Sequence, residues 1–182
     1  MRVEENVEKT VKTECAFEGK LLNVRVDTVE LHDKRYARRE IIIHRGAVAV
    51  IPITFKGNVV LVKQYRKAVE SFMLEVPAGL REVNEEPRMT AIRELKEETG
   101  FNTGKLDFLT EIFPSPGYCT EKIHIFLAKD LIEGNQDLDE DESIELLEMP
   151  LEEALQQIKI GKISDAKTII ALLYYSQFCE RS

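Results

Sequence analysis

Apolar and polar positions first single out residues 47–55, a nearly continuous apolar run of the kind found in strands buried on both faces. Lys56-Gly57-Asn58 reads as a turn, and residues 59–65 return as the next strand. Ahead of this pair, residues 9–17, 21–31 and 36–44 carry β-branched side chains in partial alternation, parted by Glu18-Gly19 and by His32-Asp33-Lys34. They predict three short strands. Such strands bury little alone, so this part is expected to pack on the main domain or on a partner subunit.

Residues 71–77 lead into a stretch of different periodicity, residues 79–101. Its second half predicts a helix. Asn84, Glu85 and Glu86 offer capping side chains, Pro87 suits a first helical position, and Gly100 suits a left-handed stop. Met89, Ile92, Leu95 and Thr99 fall at spacings of three and four, predicting one buried stripe. Glu94, Glu97 and Glu98 fall at i, i+3 and i+4, which converges three carboxylates on another face.

Beyond it, residues 105–113 and 122–129 read as strands around the turn Pro114-Ser115-Pro116-Gly117. Residues 130–142 are polar and acidic and are expected to form a mobile loop, followed by a last strand over 144–149. A helix opens at Pro150 and stops at Gly161; a final one spans 165–178, with Ile169, Leu172, Leu173 and Ser176 at helical spacing. The expected organisation is a small antiparallel β-rich part over residues 1–45, then a main domain over 46–182. The main domain is of α/β (α+β) class, a mixed β-sheet covered by helices on both sides.

Composition narrows the function. The net charge of −8 offers no basic stripe, which argues against a nucleic-acid partner. The three cysteines, Cys15, Cys119 and Cys179, are odd in number and lack metal-site spacing, which suggests reduced thiols and a cytoplasmic protein. The charged opening has no signal-peptide core, and no apolar run reaches the roughly 20 residues of a membrane span.

Three adjacent carboxylates repel one another, so a cation is expected among them. All-oxygen ligands suit Mg²⁺ or Mn²⁺ rather than Zn²⁺. Arg93 can pair with Glu97 at i+4 and hold it in place. The plain alternative is a solvated acidic helix face. Against it stands the whole spacing: Gly79, five residues, Glu85, seven residues, then Arg93-Glu94-Leu95-Lys96-Glu97-Glu98-Thr99-Gly100-Phe101. This resembles the Nudix box at every constrained position, residues 79–101.

The resemblance implies a Nudix-type α/β/α sandwich that hydrolyses a nucleoside diphosphate linked to another group. It assigns Glu94, Glu97 and Glu98 to metal binding, with the carbonyl of Ala78 as a further ligand and Glu85 as an ordering residue. Divalent ions suit this chemistry because they screen the diphosphate charge and activate water. Pro116, sixteen residues beyond Gly100, resembles the mark of the ADP-ribose pyrophosphatase branch. Arg38-Arg39-Glu40, Lys63-Gln64-Tyr65-Arg66 and Leu74-Glu75-Val76-Pro77-Ala78-Gly79 resemble substrate-contacting segments of the same branch. By that resemblance Arg66 would fork onto the diphosphate, Arg38 and Glu40 would hold the adenosine end, and Glu75 would line the substrate site.

The acidic run supplies the expected general base by the same resemblance: Glu140, with Glu142 as its rival. Its calcium-loop offsets are discounted, because Glu142 stands where such a loop needs glycine. Arg93 and Glu97 complete the catalytic set. The histidines are expected to be structural or exposed rather than catalytic, and Asp165-Ala166-Lys167-Thr168 resembles a branch segment with no chemical role beyond a helix start. The resemblance also implies a homodimer and a small nucleotide-sugar substrate. Hydrolysis of another nucleoside diphosphate sugar such as GDP-mannose, or a non-catalytic nucleotide sensor, are the competing readings.

Overall fold

The computed structural model describes residues 7–138 and 143–179. Glu140 and Glu142 lie outside the described residues. The chain divides into two compact units, one of residues 1–46 with 115–122, the other of 47–114 with 123–182.

In the first unit, β1 (Lys9–Glu18), β2 (Asn23–Glu30) and β3 (Tyr36–Ile43) form an antiparallel sheet in that order. The central strand β2 buries Val26, Asp27 and Val29, whereas β1 is exposed along its whole length. The Pro116 turn belongs here, although sequence spacing had set it inside the main domain. The Ile42 amide donates to the Tyr118 carbonyl at 2.8 Å, and the Thr120 amide donates to the Ile42 carbonyl at 2.9 Å.

The second unit starts at β4 (Ala47–Pro52), followed by β5 (Asn58–Arg66), β6 (Ser71–Glu75), β7 (Ala78–Leu80), α1 (Pro87–Thr99), β8 (Asn102–Ile112) and β9 (Ile123–Ile132). Then come β10 (Glu145–Pro150), α2 (Leu151–Lys159) and α3 (Ala166–Phe178). One sheet runs β7-β4-β9-β8, mixed because β4 and β9 are parallel; the other, β10-β5-β6, is antiparallel. Every β4 side chain is buried, and alternation splits them between two cores. Val48 and Val50 pack with Ala91 and Leu95 of α1, while Ala49 and Ile51 pack with Ala154, Ala171 and Leu172 of α2 and α3. Helices on both faces explain why this strand reads as an unbroken apolar run. The α/β/α arrangement follows.

Three local expectations change. The apolar run ends as a strand at Pro52, and Phe55 is 95% exposed at the hairpin tip. The buried line of α1 is Thr90, Ala91, Leu95, Glu98 and Thr99, and Met89 is exposed, because small side chains let the helix sit close to the sheet. On α3 the buried positions are Thr168, Ala171, Leu172 and Tyr175, with Leu173 outside. Among the described residues no helix is long and apolar enough to cross a membrane.

Candidate active site

The loop between β7 and α1 is organised by one arginine. Arg93 Nε and Nη2 donate to the two Glu85 carboxylate oxygens at 3.2 and 3.1 Å; Nη1 donates to Glu94 at 2.7 Å and to Glu97 at 2.8 Å; Nη2 also reaches the Leu80 carbonyl at 3.1 Å. The expected pair with Glu97 is therefore one of three carboxylate contacts. Glu85 does not cap the helix. Its carboxylate instead accepts from the Glu82 amide at 3.1 Å, and the N-cap, Glu86, makes no side-chain cap bond. Arg81 closes the loop from the other side on the Glu85 carbonyl. At the far end Gly100 adopts φ 76°, the left-handed stop that glycine allows without steric cost.

Arg93 holds the Glu85 carboxyl at about 2, well below an ordinary 4.5, chiefly through these hydrogen bonds and against an opposing pull from burial. A folded-state value below the unfolded one stabilises the fold above pH 4.5, and that stabilisation disappears as pH falls toward 2. We expect Glu85→Gln to be less stable than wild type near neutrality. The gap should close in denaturant titrations repeated down to about pH 2. A gap that persists unchanged there contradicts the assignment.

Two carboxylates contact the approach to the box. Glu98 is buried and accepts from the Ala78 amide at 2.9 Å. Glu94 lies over Gly79 so closely that a Cβ at position 79 would come 1.9 Å from its carboxyl carbon. The approach is pinned at successive residues: the Val76 amide to Thr168 Oγ1 at 2.9 Å, the Pro77 carbonyl to the Val50 amide at 2.9 Å, then Ala78 to Glu98. Arg66, at the end of β5, forks onto Glu75 through Nε and Nη2, each at 2.8 Å. Burial works against the Glu75 charge, yet Arg66 and Lys167 outweigh it and hold the carboxyl below its usual range. Glu75 in turn raises Arg66.

The i, i+3, i+4 spacing sets Glu94, Glu97 and Glu98 on the box helix as expected, but the carboxylates are shared out: two to Arg93 and one to the Ala78 amide. Among the described residues no three carboxylate, histidine or cysteine side chains make a preformed metal-holding group. The donors still fit a hard divalent cation. They are all oxygen, and the space beside Gly79 is filled by a carboxylate where any other residue would place carbon.

Arg38 and Glu40 alternate on the exposed side of β3, opposite Thr28 and Val26 of β2. Pro116 begins the exposed turn bonded to that same strand at Ile42. The structure therefore brings these three onto one unit, and Arg66, Glu75, Ala78, Arg93, Glu94, Glu97 and Glu98 onto the other. The acidic segment starts from the box helix. The Gln136 side chain donates to the Glu98 carbonyl at 2.6 Å, and the Asp137 amide to the Glu97 carbonyl at 3.0 Å. Sequence reading missed this anchor, and it ended β9 too early; the strand runs on to Ile132.

The NUDIX domain family model matches residues 43–172. The chain belongs to the NUDIX family. Among relatives of this Nudix chain, a methanol dehydrogenase activator from Bacillus methanolicus is 48% identical over 169 residues, 92% of this chain and 91% of that protein. An ADP-ribose pyrophosphatase from Bacillus subtilis (strain 168) is 44% identical over 169 residues, again 92% and 91%. A GDP-mannose pyrophosphatase from Escherichia coli (strain K12) is 39% identical over 140 residues, 71% of this chain and 72% of that protein. The crystal structure of an ADP compounds hydrolase superposes with a TM-score of 0.85 at 25% identity, covering 96% of this chain and 95% of that one. The Nudix fold seen here is thus matched over nearly its whole length.

Proposed function

We propose that this Nudix hydrolase cleaves ADP-ribose to AMP and ribose 5-phosphate with Mg²⁺, and with Mn²⁺ as a substitute, as a cytoplasmic homodimer acting on a small nucleotide sugar without nucleic acid or membrane. The observation that carries the reading is the box itself: Glu94 seated on Gly79 and Glu98 on the Ala78 amide, a few residues after the Glu75 carboxylate that Arg66 forks onto. The pyrophosphatase relative spans 92% of the chain, and so includes the first unit with Arg38 and Glu40.

Glu94, Glu97, Glu98 and the Ala78 carbonyl would hold the metal. When bound, divalent cations screen the diphosphate charge and activate the attacking water. Arg66 uses Nε and Nη2 on Glu75, which leaves Nη1 for phosphate oxygens. Arg38 and Glu40 hold the adenosine end, Glu75 lines the site, and Pro116 shapes the turn beside β3. Glu140, or its rival Glu142, accepts the proton of the attacking water. In-line displacement at one phosphorus then releases two phosphomonoesters.

We expect a preference for ADP-ribose over GDP-mannose when purified protein and Mg²⁺ are given each substrate and the products are separated. A preference for GDP-mannose would move the assignment to that relative's activity. The 48% identity to the methanol dehydrogenase activator favours a second reading, action through a dehydrogenase. AMP and ribose 5-phosphate formed with no dehydrogenase present support catalysis by this chain alone. No product from either nucleotide sugar would favour the activator reading or a non-catalytic sensor.

A further inference from the structure

Lys167 enters the molecule from the far end of the sequence. It is the second residue of α3, and its ammonium contacts the same Glu75 carboxylate that Arg66 forks onto, 92 residues away. The Lys167 side chain is 12% exposed and that of Glu75 1%. Lys167 also pairs with Asp165 at 3.0 Å. Asp165 caps α3 by accepting from the Thr168 amide at 2.9 Å and from its hydroxyl at 2.6 Å, and that hydroxyl accepts from the Val76 amide. One helix start thus grips both the buried carboxylate and the residue after it. The helix-starting segment has a further role that its sequence alone did not reveal.

The charges make this more than a brace. A buried carboxylate with Arg66 as its only counterion would cancel the arginine's charge at close range. With Lys167 between Glu75 and Asp165, two cations balance two carboxylates, and Arg66 keeps its fork fixed on Glu75 instead of facing both carboxylates alone. We infer that Lys167 is a positioning residue for the diphosphate: by holding the Glu75 carboxylate it aims Arg66 toward the phosphates. This rests on the reading that Arg66 meets the diphosphate.

The test compares Lys167→Met, Lys167→Gln and Lys167→Arg. Michaelis constants and turnover are measured on ADP-ribose, ADP binding by calorimetry, and folding by thermal melts. Lys167→Met is expected to raise KM and weaken ADP binding about tenfold, with kcat changed less than about threefold. Lys167→Arg restores most of the loss, because charge and reach are kept. Lys167→Gln, neutral but still polar, is expected to lose as much as Lys167→Met, because the charge on Glu75 is what it no longer meets. Should the Met variant not fold, Lys167→Gln decides: a rise in KM of about tenfold supports the inference, and KM within about threefold of wild type overturns it.

A folded Lys167→Met protein with unchanged KM and ADP binding also overturns it, as does loss confined to kcat. The two readings fail separately. If wild type leaves ADP-ribose intact but binds ADP in a Lys167-dependent way, the substrate assignment fails and this inference stands. If ADP-ribose is split with a KM indifferent to Lys167, the reverse holds.

Discussion

Exchanging Glu98 for glutamine is expected to cut turnover of ADP-ribose by about a thousandfold while leaving the protein folded. Glu98 is 3% exposed and its carboxylate accepts from the Ala78 amide at 2.9 Å. Glutamine keeps the shape and an oxygen that can accept the same bond, so the approach to the box stays pinned. What disappears is a negative charge at a position proposed to hold a divalent cation. Transition-state stabilisation by such ions is worth several kcal/mol, and each ~1.4 kcal/mol is a factor of ten in rate. About three of those factors give the expected loss. Turnover measured at saturating Mg²⁺, beside melting temperatures within a few degrees of each other, would bear this out. A variant that keeps a tenth or more of its activity removes Glu98 from the metal site and the box helix from the mechanism.

Glu98 was legible in the sequence because the box is local. Spacings of three and four along one helix translate directly into shared faces, so Glu94, Glu97, Glu98 and the i+4 partner Arg93 follow from counting. The helix stops were legible for the same reason: Pro87 and Gly100 act on their own backbone. What counting could not supply is contact across topology. Lys167 meets Glu75 over 92 residues, and nothing in the Asp165-to-Thr168 segment specifies which strand end it will face. The Pro116 turn reads as part of the strand pair around it, yet its backbone bonds to β3 of the first unit. Met89 fits an apolar stripe by type, but helix orientation is set by how closely Thr90 and Ala91 let α1 approach β4. Pattern gives the period of a helix, while packing chooses its rotation.

Gly79→Ala is expected to separate activity from stability. Gly79 sits in β7, paired with Val48 of the central strand β4, and α1 lies against the same strands. A Cβ there would stand 1.9 Å from the Glu94 carboxyl carbon and 2.1 and 2.2 Å from its oxygens, closer than atoms can come. Something must move. The obstructing atoms are the end of a flexible side chain, so Glu94 can swing away by rotamer change at little cost to the fold. Its carboxylate also bonds Arg93 at 2.7 Å, and that contact would be strained or broken by the same movement. A ligand or catalytic group displaced by about 1 Å can lose a hundredfold in rate. We therefore expect turnover of ADP-ribose to fall about a hundredfold, with the melting temperature lowered by no more than a few degrees. Raising the Mg²⁺ concentration should recover part of the loss, because a displaced carboxylate weakens metal binding before it abolishes it. Loss of folding in step with activity would mean that the glycine serves the strand pairing. Full activity in the alanine variant would mean that the position of Glu94 over the strand is incidental to catalysis.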